Sequence, residues 1–149
     1  MPVDRSHEAA NDRERARLAA LLKLSDADFG RDVGGGWTVG VALAHVAFWD
    51  RLALERAKLY QRSGTSGAVG PLVDPLNEAL VHQWRALPPR AAAEEALAAA
   101  EAIDRAIAGM SDQQIEAYLA RLEPGQPPLF LNRTGHRREH LDQIEAALG

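Results

Sequence analysis

His136 and His140 stand four residues apart in the run His-Arg-Arg-Glu-His-Leu-Asp-Gln-Ile that ends at Ile144. On a helix this spacing sets the two rings about 40° apart around the axis and one turn apart along it, so both can reach a single point. Two imidazoles so placed can serve a divalent ion, which needs at least a third ligand from elsewhere in the fold. The remaining histidines are His7, His45 and His82. His7 lies beside Glu8 in a charged segment and reads as a surface residue. His82 has no partner at metal spacing. His45 occupies a position on the apolar face of a predicted helix, which leaves two readings: a core histidine satisfied by one hydrogen bond, or a third ligand. In the second reading, two helices present three imidazoles to one interior point with a coordination position left open, the arrangement of catalytic rather than structural zinc sites. The alternative for the terminal run itself is a solvated, charged helix face.

The same run fits the His-x-x-Glu-His signature in which a glutamate acts as general base of a metalloprotease. Glu139, however, lies about 60° from His136 on the side away from His140, and an outward salt bridge is its expected role.

The elements that must position these residues are helices. Alanine and leucine supply most of the apolar content, aromatic residues are few, and β-branched residues do not cluster. The periodicity predicts main helices over residues 5–24, 38–62, 91–109 and 128–148, with shorter ones over 75–87 and 111–122. Gly34-Gly35-Gly36 reads as a flexible loop and lacks the Gly-Lys-Ser/Thr ending of a phosphate loop. Thr38 is a good N-cap, with Trp37 before it as a hydrophobic staple. Ser111 and Gln114 have the spacing of a capping box.

In the second helix Val41, His45, Phe48, Leu52 and Leu59 fall on one face; in the third, Leu97, Ala100, Ile103 and Ile107 form the inward stripe. In the last, Asn132 is either the cap or a residue of the first turns; if the helix begins before it, Asn132, His136, His140 and Gln143 make an inward polar row beside Leu129, Ile144 and Leu148, with Arg137, Arg138 and Asp142 facing away. Asn132 and Gln143 are therefore candidates to support the metal ligands from behind. The Gly-, Ser- and Pro-rich stretch 63–73 is long enough to cross the end of a helical bundle or to lie over a pocket.

Composition narrows the function classes. A net charge of -4 and a pI near 5.7 give no electrostatic reason to expect nucleic acid or an anionic membrane as partner. With no cysteine, neither a disulfide frame nor a Cys-ligated zinc site can form, and any thiol chemistry must use an external thiol. No apolar run approaches the roughly 20 residues needed to span a bilayer, and no apolar signal region opens the chain. A single cytoplasmic domain over 1–149 is expected. The small residues of the third helix allow close approach to a neighbour, in this chain or in a second subunit, and a homodimer is the expected assembly.

Gly36-Trp37-Thr38-Val39 leading into Leu43-Ala44-His45-Val46-Ala47-Phe48-Trp49-Asp50, together with the terminal His136 to Ile144 segment, resembles the DinB-like metal-binding four-helix-bundle superfamily. The likeness is nearest to the branch that includes the N-terminal domains of mycothiol-dependent maleylpyruvate isomerases. The resemblance implies an all-α fold, an antiparallel four-helix bundle with a long crossover connection and short extra helices. It also implies a divalent metal, usually zinc or nickel, on His45, His136 and His140. Characterised relatives include transferases and isomerases that use a low-molecular-weight thiol. The leading expectation is thus a metal-dependent enzyme that transfers or adds an external thiol to an electrophilic small molecule. Two alternatives keep the same ligands: a metal-dependent hydrolase of a small substrate, and a non-catalytic metal- or ligand-binding stress protein.

Overall fold

Leucine and alanine stripes fold into helices that bury one face each, and the computed structural model, which describes residues 2–128 and 130–149, is mostly helical. Helix α1 spans Ser6–Ala20, α2 Asp26–Phe29, α3 Val39–Ser63, α4 Val73–Ala86, α5 Pro89–Ala108, α6 Asp112–Leu119 and α7 Thr134–Leu148. Strands β1 (Asp32–Gly34) and β2 (Trp37–Thr38) pair antiparallel as a minimal hairpin. The long helices pack α3 against α5 and α7, and α1 against α5 and α7. None of the helices is long and apolar enough to cross a membrane.

The glycine trio is ordered by this hairpin rather than being a slack entry. Gly35 and Gly36 form its two-residue turn with φ of 63° and 79°, a region that side chains with a Cβ rarely adopt. The hairpin delivers Trp37 and Thr38 to the start of α3, where Thr38 Oγ1 accepts a hydrogen bond from Val41 N at 3.2 Å. The capping box of Ser111 and Gln114 also forms.

The alanines of α5 serve close approach within this chain. Ala92, Ala93, Ala96, Ala99 and Ala100 are all buried, and α5 lies along α3. Where the two helices begin side by side, a Cβ on Gly40 would stand 2.9 Å from Pro89 Cβ. Because this seam is built from small residues, a stripe of large apolar side chains does not mark it. Phe48, Leu52 and Leu59 of the expected α3 face are only partly buried, as is Leu97 of α5, while Leu43, Val46, Leu54 and Ala57 go inside.

The last helix differs most from expectation. It begins at Thr134 and not near 128, because Leu131 N and Asn132 N both donate to Pro128 O in a separate turn before it. Leu129 lies outside the described residues. Asn132 is exposed, and its Oδ1 accepts from Thr134 N at 3.1 Å. The start of α7 is held by α1: Asn11 Oδ1 accepts from Arg133 N at 2.9 Å and from Thr134 Oγ1 at 3.0 Å.

Arg137 does not face away. It is 0% exposed, as is Asp50 of α3. Its Nε donates to Asp50 Oδ2 at 2.8 Å, its Nη2 to Asp104 Oδ1 at 2.9 Å, and its Nη1 to Asp104 Oδ2 at 3.0 Å and Asn11 O at 3.2 Å. Arg133 Nε takes the other oxygen of Asp50 at 2.8 Å, and Arg15 Nη1 reaches Asp104 Oδ2 at 2.7 Å. The network joins α1, α3, α5 and α7, and it fixes α7 against α3 in both height and rotation. A helix face of charged residues turns inward here because two acidic residues on other helices meet its guanidinium groups.

Two stability predictions come from this packing. Gly40→Ala should destabilise the protein by about 1–3 kcal/mol in urea denaturation, because overpacking against Pro89 outweighs the roughly 0.5–1 kcal/mol that alanine normally gains over glycine inside a helix. Asp50→Ala should cost about 3–5 kcal/mol in the same measurement, since it strands two buried guanidinium groups; a loss under 1 kcal/mol would show the network to be dispensable.

Candidate metal centre

His45 lies two turns into α3, and its orientation is set by the cap at Thr38 and the tight seam with α5. His136 and His140 lie one turn apart on α7, whose rotation is fixed by Arg133 and Arg137 on Asp50. These two constraints bring the three rings together. One ring nitrogen of each lies within 4.8 Å of the others, and His45 Nε2 and His136 Nε2 are 2.9 Å apart. His140 Nδ1 meets Gln143 Oε1 at 3.1 Å, which orients that ring so that its Nε2 is left as the acceptor. Gln143 thus stands behind the cluster, whereas Asn132 is taken up by the turn before α7. His7 and His82 stay out of the cluster.

The cluster is walled by indoles. The Trp37 ring centroid is 4.9 Å from that of His45 and 6.3 Å from that of His140, near-parallel to the latter. Trp84 of α4 stands edge-on to His45 at 5.2 Å. Trp37 therefore does more than staple the start of α3, since it closes one side of the histidine cluster. Trp84, seven residues after Asn77 on one face of α4, was not marked by any pairing in the sequence.

His45 is 4% exposed and His140 9%. Burial, and next the neighbouring His140, push His45 down to about 3. Burial first and then the charge of Arg133 hold His136 well below the ordinary histidine range, and burial also lowers His140. All three imidazoles are accordingly neutral near pH 7, the form that coordinates metal. His45 Nδ1 and His136 Nδ1 are buried with no hydrogen-bond partner among the described residues. Three neutral, converging nitrogens with no thiolate or carboxylate among them fit a divalent metal ion. The cluster could hold one.

The histidines open into a cavity of about 610 Å³. Its walls are mainly apolar, with Trp37, Trp49, Leu52, Val69 and Val73 on them, and its polar lining includes Asn77, Arg56, Arg133 and Glu139. Trp49 is fixed by donating its indole N–H to Asn77 Oδ1 at 2.9 Å. The stretch after α3 lies over this cavity, contributing Val69 and Gly70. Glu139 is exposed at the rim and makes no ion pair among the described residues, so the outward salt bridge expected for it does not form.

Comparison with curated proteins and with solved structures found no match. A family model does match: that of the DinB superfamily, over residues 10–144, a span that takes in α3, α7 and all three clustered histidines. The chain belongs to the DinB superfamily.

Proposed function

We propose that the protein binds one divalent ion through His45, His136 and His140 and uses it to activate an external low-molecular-weight thiol against an electrophilic small molecule. The observation that carries this reading is the convergence of three neutral imidazoles at the base of a largely apolar cavity. The frame proposed for it is one domain, a bundle of α1, α3, α5 and α7; the antiparallel order expected throughout does not hold, because α3 and α5 run parallel, with Gly40 beside Pro89 and Arg51 paired to Glu95. The affinity to the thiol-dependent isomerase branch is part of the same proposal and rests on the two histidine-bearing segments.

A bound divalent ion supplies Lewis acidity, which lowers the pKa of a thiol so that it is nucleophilic at neutral pH. The residues of the chain do the rest. Gln143 orients His140, the indoles of Trp37 and Trp49 exclude water and offer flat apolar surface to the substrate, and the stretch around Val69 limits access. No cysteine competes for the metal. A hydrolytic reading has one observation in its favour: Glu139, the acidic side chain on the cavity lining, stands one residue before His140 and could accept a proton from an attacking water. Thiol-dependent against thiol-free turnover on a panel of electrophiles and esters separates the two, and only the hydrolytic reaction should fall in Glu139→Gln.

Metal content tests the site directly. Protein purified without a nickel column should carry about one zinc or nickel ion per chain, and His140→Ala should lose it while its circular-dichroism spectrum stays helical, because the apolar core does not depend on the ion. Retained occupancy would remove His140 from the ligand set; loss of the helical signal together with the metal would make the ion structural.

Acid stability tests the neutral state of the rings. The folded-state value of His45 is depressed to about 3, so between that pH and its unfolded value near 6.5 the unfolded chain binds the extra proton. The metal-free protein should therefore keep this contribution above about pH 6.5 and lose it progressively as the pH falls towards 3. The urea midpoint should drop less over that range in His45→Asn than in wild type, and equal slopes would count against a neutral buried His45.

A further inference from the structure

We propose that the end of the cavity away from the histidines is an anion subsite, built by Arg56 with Arg133, that takes the carboxylate of a small molecule whose apolar body lies along Trp49 and Leu52. The inference rests on the reading of the cavity as the substrate site and adds the substrate's chemical class to it. His45, Trp49, Leu52 and Arg56 all line the cavity and follow one another on α3 at spacings of four, three and four. Eleven residues are three turns, so Arg56 comes round to nearly the same direction as His45, about 16 Å further along the axis. The wall between them is apolar.

Arg133 reaches the same end from α7. The order of contacts along the chain, from Trp37 beside His140 through His45 on His136 to Asp50 on Arg133, shows that the two helices run in opposite directions. Going from His136 back to Arg133 therefore moves towards Arg56. Glu139 lies in the other direction, at the histidine end, so the acidic and basic groups of the lining are separated along the cavity. Asp50 is shared between Arg133 and Arg137 and does not neutralise Arg56.

Arg56 is itself positioned rather than loose. Its Nε donates to Ser66 O at 3.0 Å and its Nη2 to Gly67 O at 2.9 Å, which ties the stretch over the cavity to α3. Carbonyl groups satisfy two of its donors but not its charge, and its Nη1 has no partner among the described residues. Burial lowers the pKa of Arg56; Tyr118 acts against that shift and the like charge of Arg133 adds to it. A carboxylate between the two guanidinium groups relieves that repulsion and supplies the missing acceptor. Tethering the covering stretch accounts for the two carbonyl bonds alone; it does not account for a second guanidinium on the same cavity wall.

The test uses the metal-free protein, so that a carboxylate cannot score by binding an ion, and the quenching of tryptophan fluorescence, to which Trp37 and Trp49 of the cavity and the neighbouring Trp84 contribute. The probe is 4-phenylbutyrate, compared with its primary amide. The acid should bind roughly tenfold or more tightly than the amide, Arg56→Gln should remove that preference, and Arg56→Lys should restore part of it. Equal binding of acid and amide to wild type overturns the subsite. So does an Arg56→Gln variant that weakens both probes alike, which would leave Arg56 as a tether only. Metal content measured on the same preparations keeps the two readings apart: a chain that binds no ion yet prefers the acid through Arg56 loses the proposed function and keeps the anion subsite, and a chain with its ion but no acid preference does the reverse.

Discussion

A guanidinium group removed from water must find its full complement of acceptors inside the protein, and Arg137 meets that demand with Asp50, Asp104 and a backbone carbonyl of α1. Such a network adds little net stability over a well-packed apolar core, since desolvation consumes most of the Coulombic gain. What it controls is alignment. Rotating α7 by one residue about its axis, or sliding it by one turn, would leave charges unpaired in a dry interior, whereas leucine and alanine surfaces tolerate such slips at modest cost. The geometry of the histidine cluster depends on that intolerance, because two of its three histidines ride on α7.

The sequence of α7 interleaves two pairs at four-residue spacing. Arg133 and Arg137 form one, His136 and His140 the other, and the second is turned about 60° from the first. The arginine pair meets Asp50 in the core and the histidine pair meets His45 at the cavity. On α3 the partners follow the same logic, with Asp50 five residues beyond His45 and therefore well round the helix from it. The two helices are thus joined by a charged seam and a neutral seam side by side. Their proximity also has an electrostatic effect: the positive charge of Arg133 helps to keep His136 unprotonated, which is the state a metal requires.

This interleaving explains how much of the molecule could be read in advance. The helices around His45 and His136 were legible because caps such as Thr38 and the Ser111 capping box are local, and because four-residue histidine spacing is meaningful on a helix wherever it lies. The direction of Arg137 was not legible, since an arginine's burial is decided by acidic partners far away in the chain. One signal was present: Asp104 falls within the inward stripe of Ala100, Ile103 and Ile107, where an unpaired carboxylate would be costly. The start of α7 was misplaced because a turn at Pro128 continues the helical pattern without continuing the helix, and this removed Asn132 from the polar row. Arg56 carried a signal too, at eleven residues from His45, but a single basic residue three turns away on a long helix looks like any solvated one.

The two sides of α3 use opposite packing strategies, and the cavity follows from the contrast. Against α5 the helix presents and meets small side chains, so the backbones approach closely, as the near contact of Gly40 with Pro89 shows. On the side of Trp49 and Leu52 the side chains are large and only partly buried, and α4 joins the apolar core through Val81 and Trp84 while Asn77 holds Trp49. Bulky, partly exposed side chains on that side hold the neighbouring elements apart and leave a volume that the chain does not fill. The charged seam keeps α7 from collapsing into this space, because moving it inward would break Arg133 and Arg137 from Asp50. An open cavity beside a dry, fully paired core is thereby stable, and the histidines lie on the boundary between the two, buried enough to be neutral and near enough to the cavity to meet a small molecule.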